Sequence, residues 1–141
     1  MTSFLYNAGK IALLSGGVNL VNDAIKVALF TSGYVPDKDS DENFDDVTNE
    51  VSGSGYTAGG KTLTGASTEQ DDDNDRAILR ADNLSWPVAT FTARAAVIYK
   101  DTGSAATSLL VAYVDFGDDQ SVSGEDFTLE WHQDGVLYLG E

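Results

Sequence analysis

The stretch that decides the fold is Trp86–Phe116, WPVATFTARAAVIYKDTGSAATSLLVAYVDF. Two apolar runs, Ala89–Lys100 and Thr107–Phe116, flank a short polar linker, Asp101–Ala106. Each alternates with the period of a β-strand. Phe91, Ala93, Ala95, Val97 and Tyr99 share one face of the first run. In the second, Leu109, Val111 and Tyr113 oppose Leu110, Ala112, Val114 and Phe116. Both faces of both runs are largely apolar, so the pair is expected to be a central antiparallel hairpin buried on both sides.

Outward from this hairpin the signals are shorter. Ile25–Thr31 reads as a strand with Ile25, Val27 and Leu29 on one face. Lys61–Ser67 and Arg76–Ala81 read as two more strands around an acidic turn, Thr68–Asp75. Pro87 stands at the start of the long strand, where a missing N–H is tolerated. Gly117–Gly124 reads as a polar turn, Phe127–Trp131 as a strand, Asp134-Gly135 as a tight turn and Val136–Leu139 as the closing strand. Ser3–Ser15 is the one helix expected. Ser3 caps it, Leu5, Ala8, Ala12 and Ile11 follow helical spacing, and Gly16-Gly17 stop it. An arm that pairs with a neighbouring subunit is the alternative for this segment. The expectation is an all-β, mainly antiparallel sandwich or small barrel of about seven strands. It is one domain over residues 1–141, with a helix or arm at 1–22, a strand at 25–31, a long Gly/Asp-rich loop at 33–60 and a β core at 61–139.

With 141 residues and 42% hydrophobic composition the chain can bury a core without cross-links, and it has no cysteine. A net charge of −15 favours solubility and opposes docking on nucleic-acid phosphates or anionic membranes. No apolar run approaches the roughly 20 residues of a membrane-spanning helix. The start lacks a basic segment ahead of its apolar stretch, so folding in a cytosol is expected.

Gly55–Thr62, GYTAGGKT, fits the phosphate-loop pattern G-x-x-x-x-G-K-[ST]. That chemistry needs a buried strand before the loop and a helix N-terminus after it. DVTNEVSGS precedes it and LTGASTEQDDD follows. A glycine-rich turn entering a strand is the better reading, and no catalytic residue is expected. Two acidic clusters, Asp37, Asp39 and Asp41 and Asp71, Asp73 and Asp75, could hold calcium. The first has Glu42 where a calcium loop needs glycine and Thr48 where it needs glutamate. Both read as solvated charged turns, so no metal or other cofactor is expected, with calcium as the alternative. His132 is the single histidine and lacks visible partners for a zinc site or a triad. Phe4, Leu5, Tyr6, Tyr34, Phe44, Tyr56 and Trp131 are the candidate interface residues.

Seven segments together resemble a group of small virion structural proteins of tailed bacteriophages. They are YNAGK (6–10), IKVALFTSGYVPD (25–37), DDVTNEVSGSGYTAGGKTL (45–63), DDNDRAILRADNLSW (72–86), TARAAVIYKDTG (92–103), LLVAYVDFG (109–117) and FTLEWHQDGVL (127–137). The resemblance implies a non-enzymatic building block of the particle. It fits best a capsid decoration (cement) protein bound to the major capsid protein lattice as a homo-oligomer, such as a trimer. It would be assembled into the virion in the host cytoplasm. A neck, tail or head-fibre component, acting as an adaptor or as a calcium-stabilised host-attachment module, is the alternative.

Overall fold

The structure, a computed structural model, describes residues 3–140. In chain order its elements are β1 (Phe4–Leu5), α1 (Asn7–Ser15), β2 (Ile25–Phe30), one 3-10 turn (Phe44–Asp46), β3 (Lys61–Thr62), β4 (Ser67–Asp71), β5 (Arg76–Arg80), β6 (Leu84–Lys100), β7 (Leu110–Leu129) and β8 (Leu137–Gly140). They form two antiparallel sheets, ordered β1-β7-β6-β2-β3 and β4-β5-β8. The protein is therefore all-β with one short helix, as its alternating pattern implies.

The central hairpin is longer than the apolar runs suggest. Its ladder extends from Leu84↔Leu129 to Tyr99↔Leu110. The expected turn at Gly117–Gly124 and the expected separate strand at Phe127 are both parts of β7. Pairing with Thr90–Ala93 keeps Gln120–Ser123 of the GDDQSVSG segment in the ladder although its side chains offer little to a core. Pro87 lies not at the strand start but at a bulge, where the register passes from Trp86↔Phe127 to Ala89↔Glu125. Val88 there takes a φ of 49°, held by its N–H donating to Asp126 Oδ1 at 3.0 Å. Near the acidic turn, β4 includes Thr68–Asp71, and only the residues before Arg76 remain as the turn.

Bulges also decide the faces. Ala93 pairs with Gln120 and Ala95 with Asp115, so Arg94 stands opposite four residues of β7, Phe116–Asp119. The alternation flips there. Phe91 and Ala93 join one buried cluster with Trp86, Ala96 and Ile98, while Ala95, Val97 and Tyr99 join the other. A second irregularity, between Ile98 and Tyr99, leaves Val111 without a partner on β6 and puts it on the face of Ala112. Strict period-two reading places these residues on single faces. Each extra residue in one strand turns the next side chains to the other side.

The hairpin is thus apolar on both faces and both are covered. On one face, Leu79 from the small sheet, Val136 just before β8, Val51 from the long loop and Ala12 from α1 pack with Trp86, Phe127 and Leu129. On the other, Tyr6, Tyr34, Phe44 and Val47 close over Phe30, Val97, Tyr99 and Tyr113. The N-terminal segment departs from expectation. Phe4–Leu5 pair with Tyr113 and Ala112, and the helix begins only at Asn7. Ser3 is not its cap; the Ser3 hydroxyl accepts the Asp115 N–H at 3.0 Å. The helix buries Gly9 and Ala12, while Ile11 is 67% exposed.

Gly9 shows how close the helix lies. A Cβ there would stand 2.7 Å from Val111 O and 2.8 Å from Val111 Cα. Gly→Ala inside a helix normally gains about 1 kcal/mol from propensity. Here overpacking against backbone costs about 1–3 kcal/mol and wins. Gly9→Ala is expected to lower the urea midpoint of unfolding. An unchanged or higher midpoint would show that α1 does not sit on β7 at this distance.

Candidate interaction surface

The seven aromatic and aliphatic residues singled out from the sequence face the domain's own interior. Phe4 is half-buried and stacks on Tyr113 with ring centroids 5.3 Å apart. Leu5 packs against the core of the hairpin. Tyr6 is fully buried, and its hydroxyl lies 2.8 Å from that of Tyr34. Tyr34 donates in turn to Asp41 Oδ2 at 2.7 Å, so Tyr6 is the donor to Tyr34. Phe44 stacks on Tyr99 at 4.3 Å. Tyr56 donates to Glu50 Oε2 at 2.5 Å and accepts the Leu29 N–H at 2.9 Å. Trp131 is half-buried, its indole N–H donating to Asp82 O at 2.9 Å. The long loop is therefore a covering of the sheet. It is tied by isolated bridges Phe30↔Glu50, Asn43↔Leu109 and Ser54↔Thr90.

The acidic clusters also serve local structure. Asp37 Oδ1 accepts the N–H groups of Asp39 and Ser40, and these bonds, led by the Asp39 N–H, hold its carboxyl below the usual range. Asp41 Oδ2 accepts the Asp37 N–H as well as the Tyr34 hydroxyl, and Asp39 accepts from Asn7. Asp71 accepts from Asn74 and from Arg76 at 2.8 Å, which lowers its pKa in that order of effect. Asp75 lies at a φ of 54°. Among the described residues no three acidic or histidine side chains converge on a point that could hold a metal ion.

The phosphate-loop pattern is a turn entering a strand. The Gly59 N–H donates to Glu50 Oε2, the Gly60 N–H to Thr57 O, and Lys61 Nζ to Ser85 O. Lys61 also lies 5.7 Å from the centroid of the Trp86 ring. Lys61–Thr62 is β3, antiparallel to β2, so the helix N-terminus required for phosphate chemistry is replaced by a strand. His132 is exposed at the closing turn, where its Nδ1 accepts the Asp134 N–H. A shallow hollow of about 130 Å³ lies among Ser32, Tyr34, Val35, Arg94 and Tyr113. It is smaller than the roughly 300 Å³ of a typical small-molecule site.

What the surface does offer was not singled out in the sequence. Leu14 and Ile11 project from α1 at 90% and 67% exposure, one helical turn apart. They point outward because Gly9 and Ala12 face β7, where only small residues fit. Small residues at the inward positions were the available signal; a search for the most apolar stripe overlooks it. Val35 and Val88 are exposed singly, as are Tyr138 and Leu139 on β8. Charge is uneven along the chain, with no lysine or arginine in residues 101–141. No family model, curated protein or solved structure matches this chain.

The hydroxyl relay gives two graded expectations. Tyr6→Phe removes one neutral hydrogen bond, about 1 kcal/mol. Tyr34→Phe strands the buried Tyr6 hydroxyl and takes a donor from Asp41, and costs more, about 1–3 kcal/mol. Urea unfolding of the two variants checks the order; equal losses would show that the relay is not formed. The same burial creates a pH dependence. Desolvation pushes the phenols of Tyr6, Tyr34, Tyr56, Tyr99 and Tyr113 above their ordinary value of 10. In the unfolded chain they ionise near 10, so their contribution to stability is intact below that pH and declines as pH rises past it. Ultraviolet titration is expected to show these phenols ionising together with loss of the fold, not as a separate early step.

Proposed function

We propose that this protein is a non-enzymatic structural protein of a tailed-phage virion, a decoration protein bound to the major capsid protein lattice. The observation that carries the reading is the outward face of α1. Ile11 and Leu14 form an exposed apolar pair on a chain of net charge −15. That charge keeps free copies apart in solution, and the apolar pair supplies a contact the charge does not oppose. The seven segments that resemble virion proteins span nearly the whole chain and supply the class of assembly. The protein binds as a homo-oligomer, and a trimer suits a local threefold axis.

The test is binding of the purified protein to expanded capsids that lack it, measured by sedimentation. Burying Leu14 on the lattice is worth about 2 kcal/mol. Leu14→Asp is therefore expected to weaken each contact roughly thirtyfold. Its melting temperature should stay close to that of the parent, since exposed substitutions usually change stability by less than about 0.5 kcal/mol. No capsid binding by the parent, with binding to neck, tail or fibre assemblies instead, would move the protein to those sites. No binding to any virion assembly would overturn the reading.

A further inference from the structure

β7 leaves a long sheet edge uncovered. β1 pairs with it only at Ala112 and Tyr113, and Ser3 reaches Asp115. From Gly117 to Asp126 no described residue pairs with its outer side, while on its inner side Gln120–Ser123 and Glu125 pair with β6. The direction of each backbone group can be read from one bond. The Thr90 N–H donates to Ser54 O, away from β7, at 2.9 Å. Thr90↔Ser123 is therefore a non-hydrogen-bonded pair, and Phe91↔Val122 the bonded one. Along β7 the backbone groups of Val122 face β6. Those of Ser121 and Ser123 face outward. The Gly124 N–H, donating inward to Thr90 Oγ1 at 3.0 Å, agrees with this phase.

We propose that this edge takes an extended, lysine- or arginine-bearing segment of a partner polypeptide as an added strand. The regularly paired run Gln120–Ser123 spans about 13 Å at the usual rise per residue, between the bulge opposite Arg94 and the one at Gly124, enough for a short added strand. Asp118, Asp119, Glu125 and Asp126 bracket the outward-facing serines. All four are exposed, and no lysine or arginine of this chain lies beyond Lys100 to neutralise them within the strand. A second copy would bring the same carboxylates to the same edge, whereas a basic strand meets opposite charge along its length. The other edges are lesser candidates: β3 has two residues and β8 four, and on the five-residue edge strand β4 the carboxylates are already met within the chain, Glu69 by Arg80 and Asp71 by Arg76. This surface is separate from the α1 face, and the proposal does not depend on which assembly supplies the partner.

The probe is the peptide Lys-Val-Thr-Val-Lys-Val-Thr-Val-Lys, with the same peptide carrying glutamate for lysine as control. Amide hydrogen exchange read by NMR is the measurement. In the free protein the Ser121 and Ser123 amides should exchange fast and the Val122 amide slowly. Adding the lysine peptide should protect Ser121 and Ser123, with affinity falling as salt rises. The double variant Asp119→Lys, Glu125→Lys should weaken binding by about tenfold or more while keeping the free-state exchange pattern. Ser121→Pro removes an outward N–H and should abolish protection at Ser123; the charge variant carries the test if this one does not fold. The proposal is overturned by no protection at millimolar peptide or by equal binding of the glutamate peptide. It is equally overturned if these amides become protected with rising protein concentration alone, which would make the occupant a second copy.

Discussion

The β6–β7 hairpin has apolar side chains on both faces, and neither face can be left to water. Trp86, Ile98, Val111 and Leu129 point one way, and Val97, Tyr99, Leu110 and Tyr113 the other. A fully buried side chain of this kind contributes about 1.5–3 kcal/mol relative to exposure. The rest of the chain is arranged around that requirement. The small β4-β5-β8 sheet and α1 take one face, and Tyr6 with the first half of the long loop takes the other. This is why a 141-residue chain, with few strands in its main sheet, gives so much length to a loop without regular structure. The loop replaces a second sheet on that side. Its aromatic residues do the covering, and its aspartates satisfy its own backbone N–H groups.

Covering a sheet with irregular chain requires close approach, and glycine permits it. At Gly53 a Cβ would lie 2.4 Å from Thr90 O, so the bridge between Ser54 and Thr90 depends on glycine beside it. That bridge occupies the outer side of β6 along the same stretch where β7 flanks its inner side. The ribbon is consequently asymmetric. One edge is closed by the loop, and the other, on β7, is open and acidic. The carboxylates on this edge oppose its pairing with the same edge of a second copy. The apolar contacts of α1 and the polar edge of β7 are two surfaces of different chemistry on one small domain.

Much of the fold was legible. The strand over Ala89–Lys100, the strand expected at Ile25–Thr31 and found at Ile25–Phe30, and the tight turn at Asp134-Gly135 stand where the pattern places them, though the faces of the first do not. The turn character of Gly55–Thr62 was legible too, because no helix-forming sequence comes after it. The surface was much less so. Tyr6, Tyr34 and Tyr56 look like contact residues in a polar setting, yet each is held inside by a hydroxyl partner far along the chain or across the loop, such as Asp41 for Tyr34. A loop has no period, so its sequence does not say which of its aromatics turn inward. Helical spacing allows Ile11 to face the core. Packing on the β7 backbone selects the face of Gly9 and Ala12 instead.

The sequence alone determined the all-β class, the central hairpin, the acidic charge and the tight turn at Asp134-Gly135. These arise from local spacing and residue chemistry. Only the tertiary structure decided which face each hairpin residue occupies, how far the hairpin extends, and which apolar residues remain outside. The reason is physical. A bulge exists when one strand holds more residues than its partner opposite, and that count sets the face of every residue beyond it. Arg94 facing Phe116–Asp119 is such a count, made between residues of two strands and invisible in either strand alone.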